Sequence, residues 1–439
     1  MAKIRIFAST GKPIMHSISP QMHNAAFGEL GINAVYIRLA AASADAALRT
    51  AKQIGMSGLN VTTPYKENFV RLMDNLDESA KGAGAVNTVK LEKGQATGFN
   101  TDGNGVSGAL LANGVEINGK KAVVLGAGGA AMAAVHALCG NGAKVIVANR
   151  TLQKAQALAR RFGCGACSLE EKELAAALDG ADIVVSALST HERVVPKGML
   201  GKNMVVLEAM YAKDSALSAD AKAGGCKVLD GREWLLWQGV KAFEIFTGEK
   251  APTEAMRKAI AKTRAPGKSN IALIGFMGSG KSKVAREIAK LTGMERADTD
   301  EAVREIAGKS INDIFRQDGE RGFREIERQA IAKLQGVQGH VISCGGGAVL
   351  DARNAAVLKK DCTVIWLWAS EEETCRRLEG EKGRPLLEAK DKRGRIGALL
   401  AERIPSYVAC ADIVVGTDGL GANDVAKLIV DETGIAGKN

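Results

Sequence analysis

Gly275-Phe-Met-Gly-Ser-Gly-Lys-Ser282 follows the apolar run Ile271-Ala-Leu-Ile274 and precedes Val284-Ala-Arg-Glu-Ile-Ala-Lys-Leu291, whose apolar positions recur at helical spacing. The order is strand, glycine loop, helix, and the spacing G-x-x-x-x-G-K-S is that of a phosphate-binding loop. Gly275, Gly278 and Gly280, with Ser279 between the last two, let the backbone turn tightly and aim its N–H groups inward. The helix N-terminus adds partial positive charge. Lys281 is expected to reach the β- and γ-phosphates of ATP, Ser282 to ligate Mg2+, and Lys283 to join the nucleotide contacts. A nucleotide-dependent α/β domain therefore begins near residue 271, with something large ahead of it.

At 439 residues the length suggests about three domain-sized units. The net charge is +10, but the basic residues are scattered among acidic ones and aromatics make up only 4%, so stacking platforms for nucleic acid are scarce and small anionic substrates are favoured. No apolar run reaches the length of a membrane span, and the strand-like start Met1-Ala-Lys-Ile-Arg-Ile-Phe7 lacks a signal peptide's apolar core, which together predict a cytoplasmic protein. Eight cysteines without a secretion signal are expected as thiols, and the lone Cys164-Gly-Ala-Cys167 lacks the second pair of a zinc site.

Residues 3–8 predict a first strand, and Gln21 to Gly31 a helix entered through Pro20. Ser17 and Ser19 precede that helix, where two hydroxyls can hold a carboxylate or simply cap it. Asn60, Thr62 and Lys66 stand at the end of the strand in Gly58-Leu-Asn-Val-Thr-Thr-Pro-Tyr-Lys66; locally, Lys66 reads as a solvated first-turn residue. Asn87 and Asp102 are expected on glycine-rich loops, and the five together suit a polyol and carbonyl ligand. Residues 121–138 predict strand, loop and helix around Gly126-Ala127-Gly128-Gly129-Ala130-Ala131, a variant of the dinucleotide loop. The next strand ends in Asn149, Arg150 and Thr151 rather than an acid, a cation with a hydroxyl as the 2′-phosphate of NADP(H) requires.

After the phosphate loop, Asp298 can hold Mg2+ through water and Asp300 can accept from substrate hydroxyls. Arg324 and Glu327 share a helix face, and Gly345-Gly346-Gly347 offers bare backbone to a ligand. Separated arginines in the second half of the domain suggest anion clamps and a mobile lid.

Residues 1 to about 260 resemble shikimate dehydrogenase through His16-Ser-Ile-Ser-Pro20, Asn60-Val-Thr-Thr-Pro-Tyr-Lys66, Gly84-Ala-Val-Asn-Thr88, Asn100-Thr-Asp-Gly-Asn-Gly105, the loop 126–130, Asn149-Arg-Thr151 and Gly231-Arg-Glu-Trp-Leu-Leu-Trp-Gln238. Residues 270–439 resemble shikimate kinase through the phosphate loop, Asp298-Thr-Asp300, Phe323-Arg-Glu-Ile-Glu327, Cys344-Gly-Gly-Gly347, Arg384-Pro-Leu-Leu387 and Arg403-Ile-Pro-Ser-Tyr407. The resemblance implies a dehydrogenase over 1–264, with a substrate-binding α/β domain (1–102 and 238–264) and a Rossmann NADP domain (103–237). A linker (265–270) and a P-loop kinase with a nucleoside monophosphate kinase-like parallel sheet (271–439) would follow. It implies reduction of 3-dehydroshikimate with NADPH, then phosphorylation of shikimate by ATP with Mg2+. Ser17, Ser19, Asn60, Thr62, Asn87, Tyr211 and Gln238 become substrate contacts, Lys66 and Asp102 the catalytic pair, and Gly231 a cofactor contact. In the kinase, Asp300, Arg324, Gly346 and Arg403 would grip shikimate. Arg384 would lie over the transferring phosphate, and Arg377 near adenine. Three departures stand out: Ser186-Ala-Leu188, the stretch 212–219, and Trp234 in place of a usual Met. The first two motivate an alternative in which an active kinase carries a dehydrogenase-like binding or regulatory module.

Overall fold

The computed structural model describes residues 3–188, 190, 192–210, 215–261, 268–380 and 391–435. Among these the strands are, in chain order, β1 (Arg5–Gly11), β2 (Ala34–Ala40), β3 (Gly58–Val61), β4 (Asn75–Leu76), β5 (Thr88–Glu92), β6 (Gln95–Phe99), β7 (Lys121–Leu125), β8 (Lys144–Ala148), β9 (Gly165–Cys167), β10 (Ile183–Ser186), β11 (Val205–Glu208), β12 (Lys227–Leu229), β13 (Asn270–Ile274), β14 (Glu295–Asp298), β15 (His340–Ser343), β16 (Cys362–Trp368) and β17 (Ile413–Gly416). The chain forms two compact units. One holds Met1–Pro20, Asn33–Ser57 and Arg264–Asn439; the other holds Gln21–Ile32 and Gly58–Thr263. The first two strands cluster with the C-terminal residues.

In the first unit the strands run in the order β14-β15-β13-β16-β17-β2-β1, all parallel. Parallel strands are covered on both faces and read as continuous apolar runs. Cys362-Thr-Val-Ile-Trp-Leu-Trp368 is such a run, and every residue of it is buried. Helix Lys281–Thr292 packs Val284, Ala285 and Ile288 onto Leu273, Ile365 and Leu367, and helix Ala422–Thr433 adds Val425 and Ile429 to the same core. β17 pairs with β2 through Ile413↔Arg38, Val414↔Leu39 and Val415↔Ala40, so strands from opposite ends of the chain share one sheet.

The second unit carries two sheets. β5 lies between β3 and β6, antiparallel to both, and β4 pairs parallel with β6. The other sheet is all parallel in the order β12-β11-β10-β7-β8-β9, the doubly wound arrangement in which ligands meet the strand ends beside β7. Two local expectations shift. Asp102 is the first residue of helix Asp102–Ala112 rather than a loop residue, and Asn270 already belongs to β13 rather than to the linker. Residues 262–267, Tyr211 and Arg384 lie outside the described residues.

Leu367 is fully buried between β13 and β17. Leu367→Ala should destabilise the first unit by about 2–5 kcal/mol, as large-to-small changes in packed cores do. The check is the midpoint of its thermal unfolding transition, which should fall by several degrees.

Candidate active sites

In the second unit, Lys66 opens the short helix Lys66–Val70 and Asp102 opens helix Asp102–Ala112. Their side chains meet at 2.6 Å, Lys66 Nζ to Asp102 Oδ2, with Asp102 almost wholly buried and Lys66 19% exposed. Asp102 Oδ1 accepts from Asn87 Nδ2 at 2.8 Å. The orientation of the Asn87 amide is fixed by its other end, where Oδ1 accepts from the Thr101 N–H at 2.8 Å and the Thr88 hydroxyl at 2.9 Å. Asn87 Nδ2 also reaches Gln238 Oε1 at 3.4 Å, and Asn60 donates to Thr88 Oγ1 at 2.9 Å. Trp234 donates its indole N–H to the Asp102 carbonyl at 3.1 Å. The result is an ammonium with an open side, anchored to a carboxylate whose acceptors are occupied. Such a group can give a proton to an oxygen that gains charge. Thr62 stands one turn before Lys66, its carbonyl accepting from the Tyr65 N–H.

The end of β7 turns at Gly126 with φ 111°, and a side chain there would also press on the Ala187 carbonyl. Helix Gly129–Gly140 follows, and open space surrounds the Cβ positions of Gly128 and Gly129. Ala127 and Ala130 keep the loop narrow. At the end of β8, Asn149 donates to the Thr151 carbonyl at 2.9 Å, while Arg150 is exposed and Thr151 begins a helix without using its hydroxyl as a cap. These residues fit a dinucleotide with a phosphate on its ribose. Gly231 is demanded by space, because a Cβ would sit 2.6 Å from the Ala209 and Met210 carbonyls.

In the first unit, the loop after β13 has positive φ at Gly275, Gly278 and Gly280 (141°, 80° and 94°), so all three positions need glycine. Lys281 curls over its own loop and donates to the Gly275 and Phe276 carbonyls at 2.9 Å each. Ser282 Oγ lies 3.0 Å from both Asp298 Oδ2 and Ser343 Oγ. These hard oxygen donors fit Mg2+ completed by phosphate and water. Arg377 donates to the Gly278 carbonyl at 3.2 Å and to the Thr417 hydroxyl and carbonyl, while Glu373 holds its Nε at 2.6 Å. Ser279 is buried within the loop and Lys283 is exposed on the first turn of the helix.

Beside this loop, Gly345 brings bare backbone against two carboxylates: a Cβ there would lie 2.8 Å from Asp300 Oδ1 and from Glu327 Oε1. Glu327 accepts from Arg324 at 2.7 Å, yet burial still pushes its carboxyl above the ordinary value. The Arg324 guanidinium fills the space a side chain at Gly347 would need. Arg403, 3% exposed, donates to the Gly346 carbonyl at 3.2 Å and lies over the Phe276 ring. Tyr407 donates to the same carbonyl at 2.5 Å. Two arginines and a carboxylate thus converge on bare backbone, which suits a small anionic polyol.

Ser17 and Ser19 lie in the first unit, their hydroxyls 3.2 Å apart, and Ser17 Oγ also accepts from the Ser19 N–H. Thr101 and Thr299 lie inside quoted motifs but were assigned no role there: the Thr101 N–H donates to Asn87 Oδ1, and Thr299 Oγ1 accepts from the Gly345 N–H at 2.8 Å. Ser343, a small hydroxyl residue outside those motifs, escaped the sequence reading.

Over its first 60% the sequence is close to proteins of known activity. The shikimate dehydrogenase of Natronomonas pharaonis is 43% identical over 262 residues, 58% of this chain and 98% of that protein. The chain belongs to the shikimate dehydrogenase family. The shikimate dehydrogenase of Thermococcus kodakarensis is 38% identical over 59% of this chain and 96% of its own length. The crystal structure of shikimate 5-dehydrogenase from Thermus thermophilus, in complex with NADP(H) and shikimate, superposes with a TM-score of 0.54 at 34% identity, over 58% of this chain and 98% of that one. Family models agree along the dehydrogenase: the shikimate dehydrogenase substrate binding domain matches residues 10–89, shikimate / quinate 5-dehydrogenase 110–212, and the shikimate 5′-dehydrogenase C-terminal domain 231–261. The shikimate kinase model matches residues 277–433, so the chain is a bifunctional enzyme. No helix among the described residues is long and apolar enough to cross a membrane.

Asn87→Asp would set a second carboxylate 2.8 Å from Asp102. Dehydrogenase turnover should fall at least about tenfold, since like charges at that range weaken the grip on Lys66, while kinase turnover stays unchanged; initial rates of both reactions check this. A second expectation concerns pH. Hydrogen bonds from Arg376, then Arg377, pull the Glu373 carboxyl down from 4.5 to about 2 against the opposing effect of its burial. A depressed folded-state value means the contribution is present above pH 4.5 and is lost as the pH falls towards 2. Glu373→Gln should therefore flatten the decline of the thermal midpoint across that window.

Proposed function

We propose that residues 1–264 reduce 3-dehydroshikimate to shikimate with NADPH, and that residues 271–439 phosphorylate the 3-hydroxyl of shikimate with ATP. The Lys66–Asp102 contact at 2.6 Å carries the first half of this reading, because ketone reduction needs a held proton donor at the oxygen. NADPH, when bound, supplies the hydride. Lys66 gives its proton to the forming alkoxide and Asp102 steadies the ammonium before that transfer. Asn87 keeps the Asp102 carboxylate turned towards Lys66. Ser17, Ser19, Asn60, Thr62, Tyr211 and Gln238 hold the carboxylate and hydroxyls of the ring. Gly126 to Ala130 and Gly231 admit the dinucleotide, and Arg150 with Thr151 and Asn149 recognise its 2′-phosphate.

In the kinase half Asp300 orients the attacking hydroxyl and takes its proton as the new O–P bond forms and the bond to the ADP oxygen breaks. Arg324, Arg403 and the backbone of Gly345 to Gly347 hold shikimate. Gly278, Ser279, Gly280, Lys281, Lys283, Arg377 and Arg384 hold and neutralise the phosphates and nucleotide. Ser282 and Asp298 hold Mg2+, which supplies charge neutralisation between phosphates when bound. Eight cysteines, all unpaired, support a reducing cytoplasmic setting.

Arg150→Ala should erase most of the preference for NADPH over NADH while leaving NADH-dependent reduction measurable; an unchanged preference would move 2′-phosphate recognition elsewhere. Lys66→Ala should abolish reduction and spare phosphorylation of added shikimate, and Lys281→Ala should do the reverse. One ring carbon is presented first to hydride and then to ATP, so shikimate must leave one site before entering the other. Mixing the two variants should therefore restore the two-step conversion after a lag while shikimate accumulates. A mixture that makes no final product, with each single activity intact, overturns free passage.

A further inference from the structure

The loop that carries Ser17 and Ser19 is held by residues of the kinase half. Glu432, on helix Ala422–Thr433, accepts the Ile14 N–H at 2.7 Å and the Met15 N–H at 3.0 Å through the same oxygen, Oε2. The Ile14 side chain is fully buried in the core formed with Val425, Leu428 and Ile429 of that helix. The Ile14 carbonyl in turn accepts from the Ser17 N–H at 3.0 Å, so the two ends of the turn are tied. From the other side Arg38, 6% exposed, grips the Ser17 carbonyl with Nε and Nη2 at 3.0 and 2.6 Å, and its Nη1 reaches the Asp412 carbonyl at 3.3 Å beside β17.

Removing a carboxylate from water is costly unless donors replace the water. Glu432 is 6% exposed, and burial raises its carboxyl above the ordinary value while the two backbone N–H groups pull against that rise. Its second oxygen has no hydrogen-bond partner among the described residues. The acid is therefore kept in place for the two N–H groups it does receive. Those two groups belong to the loop residues just before Ser17.

We propose that Glu432 is a positioning residue for the dehydrogenase: from the kinase half it sets the backbone of the Ile14–Ser19 turn and thereby the two hydroxyls that receive the substrate carboxylate. This rests on the reading of Ser17 and Ser19 as substrate contacts. Glu432 makes no contact with the phosphate loop or with the Gly345–Gly347 cluster in the interactions described, so its effect on the kinase reaction should be small.

The test uses the full-length chain. Ser17→Ala and Ser19→Ala first establish the reading by raising KM for 3-dehydroshikimate; no rise in either removes the premise and the proposal with it. Glu432→Ala should raise that KM about tenfold, equivalent to about 1.4 kcal/mol of binding. KM for NADPH and both kinase constants should stay within twofold. Glu432→Gln keeps a carbonyl acceptor for the two N–H groups and should restore KM to within threefold of the unmodified enzyme. If Glu432→Ala does not fold, Glu432→Asp, which withdraws the acceptor by one methylene, should give the same selective rise. An unchanged KM, or equal losses in both activities, overturns the proposal while leaving the serine reading intact.

Discussion

Parallel strands cannot be joined by tight hairpins; each must be followed by a crossover, and the crossovers place every strand's carboxyl end along one edge of the sheet. The parallel strands of the first unit and the six-stranded sheet of the second are built under that constraint. β7 ends in Gly126 and β13 ends at Gly275, and each glycine adopts a positive φ that turns the chain directly into a helix. Neighbouring strands then deliver chemistry to the same edge. β8 delivers Asn149 to Thr151 beside the first loop, while β14 delivers Asp298 and β15 delivers Gly345 beside the second. The bare backbone at Gly345 and Gly347 lies where Asp300, Glu327 and Arg324 converge.

Three buried carboxylates show how differently such a group can be satisfied. Asp102 receives a lysine on one oxygen and an amide on the other, leaving Lys66 partly open to water and able to act on a ligand. Glu327 receives Arg324 and remains dominated by its burial. Glu432 receives only backbone N–H groups, from a loop 417 and 418 residues away. The first arrangement suits proton donation, the second fixes a guanidinium in place, and the third fixes a stretch of main chain.

Most of the fold was legible before the structure. The strand expected at 3–8 is β1, and the helix expected from Gln21 to Gly31 spans Ser19–Glu29. The phosphate loop and the dinucleotide loop sit between strand and helix as their spacing requires. Lys66 was different. By its local sequence it is a first-turn lysine, and only its resemblance to a known motif raised it; the 2.6 Å contact with Asp102 comes from a residue 36 positions on. Ser343 gave no warning at all, because a hydroxyl that completes a network carries no pattern of its own.

The sequence by itself determined the local backbone: where glycine permits a left-handed turn, where Ser43, Asp230 or Asp351 caps a helix, and which runs are apolar enough to be buried on both faces. Those outcomes depend on residues within a few positions of one another. Tertiary structure alone decided which groups meet. The pairing of β17 with β2 brings Asp412 to Arg38, and the packing of helix Ala422–Thr433 brings Glu432 to Ile14. A side chain's partner depends on the order of strands in the sheet. That order is set by the burial of both sheet faces at once, which no short stretch of sequence encodes.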